Sequence, residues 1–321
     1  MKKILIFKTD KIGDLINISP LLRNLNLNFP DCIIDLVCSE NNLEISKYYK
    51  YFTKTFIYKK PFFYFLFKNF NNFFLNKYDL ILQLDGKNHS YLSTFFIRAS
   101  KKTCIRFIKK KKILNYNFTN IRPNIFLSFF FDYTVDCIED YGVANNLSYH
   151  YSTLQHKILK KLDIKIFSRK HYLPFNPRIN TYFNDYILIH IDERWALFND
   201  KFYQHFEKQI INISKFKNII ITCNLESNPY FEILNKTHLN NKNIIFLKKT
   251  TVDELINIIY YSNTVISSHT GFIVHVAASF KKKIIDIVSP KIFSELDRWI
   301  PFNIDYKRYD FDNFFSKNIK S

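Results

Sequence analysis

The chain has 321 residues, more than one compact core usually accommodates, which suits two domains of about 150 residues each. Hydrophobic residues make up 47% and aromatic residues 18% of it, so a disordered chain is excluded. The formal net charge of +19 favours an anionic partner such as nucleic acid, phospholipid or a phosphorylated substrate.

In the amino-terminal half, short apolar runs alternate with helical patterns. Strands are predicted at residues 4–7, 32–38 and 78–86, with a helix over 16–29 after the first of them. Because the apolar runs show no inside/outside alternation, they predict a parallel sheet covered on both faces. This half is therefore expected to be an α/β domain.

The carboxyl-terminal half repeats this rhythm after a polar, proline-containing linker at residues 171–185. Strands are predicted at 186–191, 218–223, 243–247, 264–268 and 283–288, with helices at 200–215, 229–238, 251–262 and 271–280. The pattern predicts a second doubly wound domain. Since such sheets bind ligands at the carboxyl ends of their strands, we expect a site between the loops of two facing domains.

The cysteines and the amino terminus bear on the cellular compartment. Five scattered cysteines show no metal-ligand spacing, which predicts a reduced protein without a structural zinc site. The apolar stretch after Met1 stops at Lys8, too early for a signal peptide, and no run of 18 apolar residues follows. The expected location is cytoplasmic.

Two strand-to-helix turns carry candidate site residues. After the strand at 264–268, Thr270 and Gly271 open a helix, where backbone N–H groups and a hydroxyl can bind an anion. An ordinary N-cap with a glycine for close packing is the alternative. In the first turn of the chain, Gly13 and Asp14 place a residue without a side chain beside a carboxylate. The alternative there is a glycine turn with an acid favoured by the helix dipole.

These turns and their flanks resemble glycosyltransferase family 9, the bacterial heptosyltransferase family. Residues 269–278, HTGFIVHVAA, resemble its D-T-G-x-x-H signature followed by A-A, with His269 in place of the usual aspartate and His275 one position late. Residues 4–25, with Gly13, Asp14 and Pro20, follow the order in which the family begins. Further matches reach residues 297–302, so the resemblance spans nearly the whole chain.

The resemblance implies a GT-B architecture, in which two Rossmann-like doubly wound domains face each other across a cleft. Residues 1–175 are then the acceptor-binding domain and residues 176–321 the nucleotide-sugar-binding domain, with the last residues crossing back. The implied reaction is inverting transfer of a heptose, typically from ADP-heptose, to a lipopolysaccharide or lipooligosaccharide core or a capsule acceptor. Another nucleotide-sugar donor is the closest alternative.

The resemblance also implies roles for individual residues. Asp14 is the expected catalytic base, and Gly13 lies near the donor. Arg194, Thr270 and Gly271 are expected to bind the donor diphosphate, Glu226 the ribose, and His275 also belongs to the donor site. A surface ion pair of Arg194 with a neighbouring acid and a solvated Glu226 remain the alternatives for those two residues.

No cofactor and no metal are expected. No Asp-x-Asp stands at the end of a predicted strand, and a helix dipole with an arginine can replace a divalent ion. The phenylalanine-rich segment 62–77 is predicted to be a helix that buries Phe63, Leu66, Phe70, Phe73 and Phe74. Together with the lysines and aromatics at 105–112 and 124–133, it also suits peripheral contact with an anionic inner membrane.

Three other classes of protein compete with this interpretation. The charge and the aromatics suit a nucleic-acid-binding protein, but AT-rich codon usage explains part of the lysine content and no RNA- or DNA-binding motif appears. We therefore expect no nucleic-acid partner. A nicotinamide-dependent oxidoreductase lacks its G-x-G-x-x-G turn here. A catalytically inactive, saccharide-binding relative stays open because of His269.

Overall fold

The computed structural model describes residues 1–113, 116–123, 125–140, 151–238, 240–290, 294–302 and 304–310. Its contacts divide the chain into two compact units. Unit 1 comprises Met1–Pro174 with Asp297–Trp299, and unit 2 comprises Phe175–Leu296 with Ile300–Ser321. The last eleven residues, which the sequence predicts to cross back, lie outside the described residues.

Unit 1 is built on a seven-stranded sheet in the order β3-β2-β1-β4-β5-β6, with β7 also paired to β5. All its pairs are parallel except β5 with β6. Its strands are β1 (Lys3–Lys8), β2 (Ile33–Cys38), β3 (Phe52–Ile57), β4 (Tyr78–Gln83), β5 (Ala99–Ile113), β6 (Tyr116–Arg122) and β7 (Tyr133–Asp140). Its helices are α1 (Ile12–Asn17), α2 (Ser19–Asn28), α3 (Glu40–Ser46), α4 (Phe62–Lys68), α5 (Asn88–Phe96), α6 (Ile125–Ser128) and α7 (Tyr151–Lys161).

Unit 2 contains a six-stranded, fully parallel sheet in the order β10-β9-β8-β11-β12-β13. Its strands are β8 (Tyr186–Ile191), β9 (Asn218–Cys223), β10 (Ile244–Lys248), β11 (Thr264–Ser267), β12 (Lys283–Val288) and β13 (Tyr306–Asp310). Its α-helices are α8 (Asp200–Ser214), α9 (Pro229–His238), α10 (Val252–Tyr261) and α11 (Gly271–Ser279), and short 3₁₀ turns cover Glu193–Leu197 and Ser294–Trp299.

The central strands confirm the expectation of a sheet covered on both faces. In β1 every residue from Ile4 to Lys8 is buried, and β8 is buried at five of its six positions. Such runs need apolar cover on both sides, which the helices supply. Both sheets are therefore of the doubly wound, Rossmann-like type.

Helix boundaries in unit 1 differ from the prediction at two places. The single helix expected over residues 16–29 is two helices, α1 and α2, that meet at Ile18. Pro20 causes this break, since it has no N–H to donate to Ile16 and its ring clashes with that carbonyl.

The second difference is in the phenylalanine-rich segment. Here α4 ends at Lys68, and a π-helical turn covers Asn71–Leu75. Leu66 and Phe73 are buried as predicted, and Phe74 packs against the core. The interruption also places Phe65 in the core and leaves Phe63 and Phe70 exposed, where the prediction was wrong. In the described part of the chain, no helix is long and apolar enough to cross a bilayer.

Candidate functional site

Each sheet has one position at which the chain reverses its direction of winding. In unit 2 this switch lies between β8 and β11, and in unit 1 it lies between β1 and β4. Doubly wound sheets bind ligands in the crevice beyond the carboxyl ends of the two strands at such a switch. The segments that follow these four strands are therefore the candidate sites.

At the unit 2 switch, Arg194 reaches the turn that precedes α11. It follows β8 in the 3₁₀ turn, and its Nη1 donates to the carbonyl oxygens of Ser268 (3.3 Å) and His269. Thr270 occupies the N-cap position of α11, and its hydroxyl donates to the Asp192 carboxylate and not to the helix. The structure thus brings together Arg194, Thr270 and Gly271, three of the residues that the sequence singled out.

Gly271 begins α11 with open space around it. Apart from its chain neighbours and the backbone of α11 itself, a β-carbon built at this position would meet no atom within 4 Å, so a ligand can approach the backbone there. The first N–H groups of a helix have no partner within the helix and carry its positive dipole end. Together with the Arg194 guanidinium, they form a positively polarised edge that suits a phosphate or diphosphate.

The turn itself is held by a buried network around Asp286 of β12. His269 has φ 53°, a left-handed conformation that costs a residue with a β-carbon about 1–2 kcal/mol. Its Nδ1 lies 2.6 Å from Asp286 Oδ2, and its backbone N donates to Asp286 Oδ1 at 3.2 Å. Ser267 Oγ and Tyr306 OH each donate to the same carboxylate at 2.7 Å. Burial raises the pKa of Asp286, but these partners outweigh it and hold the pKa below its usual value.

Asp192 is a buried acid within this edge that sequence reasoning missed. Its carboxylate accepts the N–H of Arg194 at 3.0 Å and the Thr270 hydroxyl. Burial is the main reason that its pKa is raised to about 6 from an ordinary 3.8, with Glu193 adding to the rise and the donors opposing it. Its position directly after the buried strand β8 is the sequence feature that could have identified Asp192.

The raised pKa makes the stability of unit 2 depend on pH. In the folded state Asp192 holds its proton up to about pH 6, whereas in the unfolded chain it releases it near pH 4. The unfolded chain therefore binds fewer protons between these values, and stability falls as pH rises through this window. The carboxylate is then fully ionised and buried at pH 7.5.

Replacing Asp192 with asparagine is expected to remove this loss. The variant should gain about 2–3 kcal/mol in free energy of unfolding at pH 7.5 and nothing comparable at pH 4. Urea unfolding followed through the buried Trp195 measures both values. Asp305→Asn, an exposed acid of unit 2 that does not contribute to the raised pKa of Asp192, is the control and should shift neither. An equal difference at the two pH values would contradict the expectation.

The other two residues of unit 2 that were predicted for the donor site, Glu226 and His275, lie outside this cluster. Glu226 follows β9 at the same edge of the sheet, with a side chain 95% exposed and 3.6 Å from Lys249 Nζ. His275 lies on α11 one turn beyond Gly271, and its side chain is buried.

In unit 1, Asp14 lies in the first turn of α1, directly beyond the switch. Its carboxylate accepts the backbone N–H of Lys11 at 3.1 Å, which closes the start of the helix, and its side chain is half-buried. Burial raises the pKa of Asp14, Asp10 adds to the rise, and Lys8 opposes it. A carboxylate with a raised pKa is a stronger base than an ordinary one.

Gly13 precedes it as a buried residue of α1. None of the glycines described has a positive φ, so backbone conformation does not require glycine at this position. The loop between β1 and α1 is nevertheless tied down from α3, because Asn42 Nδ2 donates to the carbonyls of Lys8 (3.0 Å) and Asp10 (3.3 Å).

Asp85, just beyond β4, is the second acid that sequence reasoning missed. Five groups donate to its buried carboxylate: the backbone N and hydroxyl of Thr9, the Ser90 hydroxyl, the Gln83 amide and the backbone N of Lys87, all at 2.8–3.1 Å. Asp85 therefore joins the loops after β1 and β4. Its position after the buried strand β4 could have identified Asp85 from the sequence. Asp286 was missed as well, and the sequence feature that could have identified it is an acid within an apolar run.

Known proteins were compared with the chain at the level of sequence and of structure. No protein-family profile and no curated protein sequence matches it. Solved structures do match, among them the E. coli heptosyltransferase WaaC with ADP-2-deoxy-2-fluoro heptose, at 15% identity and TM-score 0.68 over 96% of this chain and 92% of that one.

Two other matches are similar. A glycosyltransferase of family 9 from Veillonella parvula has 13% identity and TM-score 0.71 over 100% of this chain and 90% of that one. The E. coli ADP-heptose lipopolysaccharide heptosyltransferase II has 13% identity and TM-score 0.67, covering 96% and 90%.

At these identities the likeness shows the fold. The two Rossmann-like sheets and the whole-chain matches define a protein with the GT-B fold, as the sequence predicted. The resemblance to glycosyltransferase family 9 that the motifs indicated is confirmed at the level of this fold, since a member of that family is among the matches.

Proposed function

We propose that the protein is a glycosyltransferase of family 9 that transfers a heptose from ADP-heptose to a saccharide of a lipopolysaccharide or lipooligosaccharide core or a capsule. The observation that carries this proposal is the contact of Arg194 with the turn that starts α11, at the switch point of unit 2. It unites a permanent cation with a helix amino terminus at the edge where doubly wound sheets bind nucleotides.

The donor is proposed to bind to unit 2. Arg194, Thr270 and Gly271 take the diphosphate, and the exposed carboxylate of Glu226 takes the ribose hydroxyls. His275 supports α11 from its buried side. The solved E. coli WaaC carries ADP-2-deoxy-2-fluoro heptose, which supports ADP-heptose as the donor of a protein with the same fold.

The acceptor is proposed to bind to unit 1, where Asp14 acts as the base. Asp14 removes the proton of an acceptor hydroxyl, and the oxygen attacks the anomeric carbon from the face opposite the diphosphate. The new glycosidic bond forms as the bond from the anomeric carbon to the diphosphate oxygen breaks, which inverts the configuration. ADP leaves with the electron pair, and Arg194 with the α11 terminus stabilises its charge.

Transfer by the purified protein tests this proposal. ADP-heptose is offered with a heptose-free lipooligosaccharide core, beside the UDP-, GDP- and CDP-sugars as competitors, and product is read by mass spectrometry and anomeric NMR. We expect product from ADP-heptose alone, with inverted configuration. Transfer from another nucleotide-sugar would replace the donor assignment, and no transfer from any donor would favour a saccharide-binding role.

Transfer is further expected to need no divalent metal. Among the residues that the structure describes, no group of three His, Cys, Asp or Glu side chains could hold a metal ion. Arg194 and the helix terminus supply the positive charge that a metal supplies elsewhere. EDTA should therefore leave the rate of transfer unchanged. Protein that has been dialysed to remove metal ions is a second control and should show the same rate. Loss of activity that Mg²⁺ restores would contradict this expectation.

Peripheral membrane contact is proposed for an aromatic surface of unit 1. We define this surface by exposed phenylalanines of α4, of the end of α5 and of the segment around α6: Phe63, Phe67, Phe96, Phe126, Phe129 and Phe130. Three of its members are linked, since the rings of Phe63 and Phe96 lie 6.3 Å apart, and Phe95 joins Phe96 (4.8 Å) to Phe130 (4.3 Å). Phe67 is 69% and Phe129 80% exposed. Lys102 lies beside the linked rings, with its Nζ donating to the Phe95 carbonyl at 2.9 Å. Exposed aromatic side chains beside a lysine suit an anionic bilayer.

Vesicle sedimentation tests the aromatic surface. The protein should sediment with vesicles rich in anionic phospholipid at low salt, and less at high salt. The double variant Phe63→Ser/Phe67→Ser should bind at least about tenfold more weakly, because each buried phenylalanine contributes about 1.5–3 kcal/mol. Phe216→Ser, which replaces a phenylalanine of unit 2 that is 86% exposed, is the control. Equal sedimentation of all three proteins would exclude this surface.

A further inference from the structure

Four described residues other than glycine have a positive φ: Asp163, Lys249, His269 and Lys281. Three of them lie in exposed turns, where solvent and turn geometry tolerate the conformation. His269 differs because it is buried, with 3% of its surface exposed. A buried residue persists in this conformation when its surroundings hold it there, and such residues cluster at ligand-binding turns.

The group that holds His269 is the Asp286 carboxylate. Asp286 belongs to β12, yet its partners come from three places: Ser267 at the end of β11, His269 in the turn, and Tyr306 of β13. Tyr306 OH also accepts from Arg308 Nε at 3.2 Å. The carboxylate therefore fastens both the imidazole and the backbone N–H of His269 to β12.

Fixing His269 also fixes the groups that face a ligand. The carbonyl oxygens of Ser268 and His269 hold Nη1 of Arg194, so the shape of this turn sets where the guanidinium stands. In the described chain Nε and Nη2 of Arg194 bond to no protein group, and they remain able to donate. α11 and its backbone N–H groups begin at Gly271, two residues after His269.

Ser268 supplies an independent sign of a ligand at this turn. Its side chain is 1% exposed, and among the described residues its hydroxyl has no hydrogen-bond partner. An unpaired buried hydroxyl costs free energy, and a bound polar group removes that cost.

We propose that His269, held by Asp286 and Tyr306, is a positioning residue that fixes the turn 268–270 so that Arg194 and the start of α11 bind a diphosphate. This inference rests on the proposed function for the identity of the donor, but the chemistry that it names is the diphosphate group alone. His269 replaces the aspartate that is usual in the family, and through its imidazole it connects the turn to the buried Asp286 carboxylate.

The test compares affinity for inorganic pyrophosphate and for ADP, by titration calorimetry, with thermal stability. His269→Gly permits the left-handed backbone and deletes the imidazole, so it should weaken both affinities about tenfold or more. This loss of affinity should be larger than any loss of thermal stability can explain. His269→Asn tolerates the same conformation and can donate to Asp286, so it should restore part of the affinity. Tyr306→Phe removes one donor to Asp286 and should give an intermediate loss.

Lys281→Gly is the matched control, because it relieves a positive φ in an exposed turn of the same unit. It should change neither affinity. Where transfer is measured, His269→Gly should raise the donor KM more than it lowers kcat. Wild-type affinity for pyrophosphate in His269→Gly would overturn the inference, as would a wild-type protein that binds neither probe. Binding of both probes without transfer from any nucleotide-sugar would instead overturn the proposed function and leave the positioning role standing.

Discussion

Asp14→Asn is expected to lower sugar transfer by about 10²–10⁴-fold while leaving ADP affinity unchanged. The amide cannot accept the proton of the acceptor hydroxyl, but its oxygen can still accept the Lys11 N–H that closes the start of α1. The helix should therefore keep its cap, and the loss should appear in kcat. Steady-state kinetics with ADP-heptose and acceptor, beside calorimetric titration with ADP, measure the two effects separately.

The pH dependence gives a second readout of the same residue. Because burial raises the pKa of Asp14, the rate should fall on acidification at a higher pH than an ordinary aspartate would give, as the base becomes protonated. Glu40→Gln is the matched control, since Glu40 is an exposed acid in the first turn of α3 beyond the neighbouring strand β2. Unchanged turnover in Asp14→Asn would remove Asp14 as the base.

Arg194→Ala is expected to weaken ADP binding about 10–100-fold, because each hydrogen bond to a charged group contributes about 1.5–3 kcal/mol. The guanidinium holds two carbonyl oxygens of the turn through Nη1 and can present its other N–H groups to a phosphate at the same time. Arg194→Lys should recover little of the affinity, since an ammonium group has neither the fork nor the planar geometry. Calorimetric titration with ADP at two salt concentrations checks both variants.

A second arginine of unit 2 provides the control for charge. Arg178, which precedes β8, forms an exposed ion pair with Asp253 of α10 at 2.8 Å. Arg178→Ala removes the same formal charge and should leave ADP affinity unchanged. Equal losses in Arg178→Ala and Arg194→Ala would mean that net charge, and not a built site, attracts the nucleotide.

The elements that sequence patterns predicted well are those with long apolar runs. The strands β1, β8, β9 and β12 lie within one or two residues of their predicted bounds, since buried parallel strands need continuous hydrophobic sequence. The lysine-rich β5 was not predicted as a strand, because lysine is depleted in strands. In the helix predicted over 62–77, Leu66 and Phe73 are buried as expected. Phe63 and Phe70 are exposed, since periodicity does not reveal the interruption after α4.

Local sequence was sufficient for the two candidate turns, Gly13–Asp14 and Thr270–Gly271, because a strand followed at once by a helix places them at the carboxyl edge of a sheet. What surrounds them depends on residues far apart in the chain. Asp85 bonds to Thr9, Asp286 bonds to His269, and Asp192 bonds to Thr270, and strand order alone brings each pair together. The raised pKa of Asp192 has the same origin, since burial is a property of the packed sheet and not of the residues beside it.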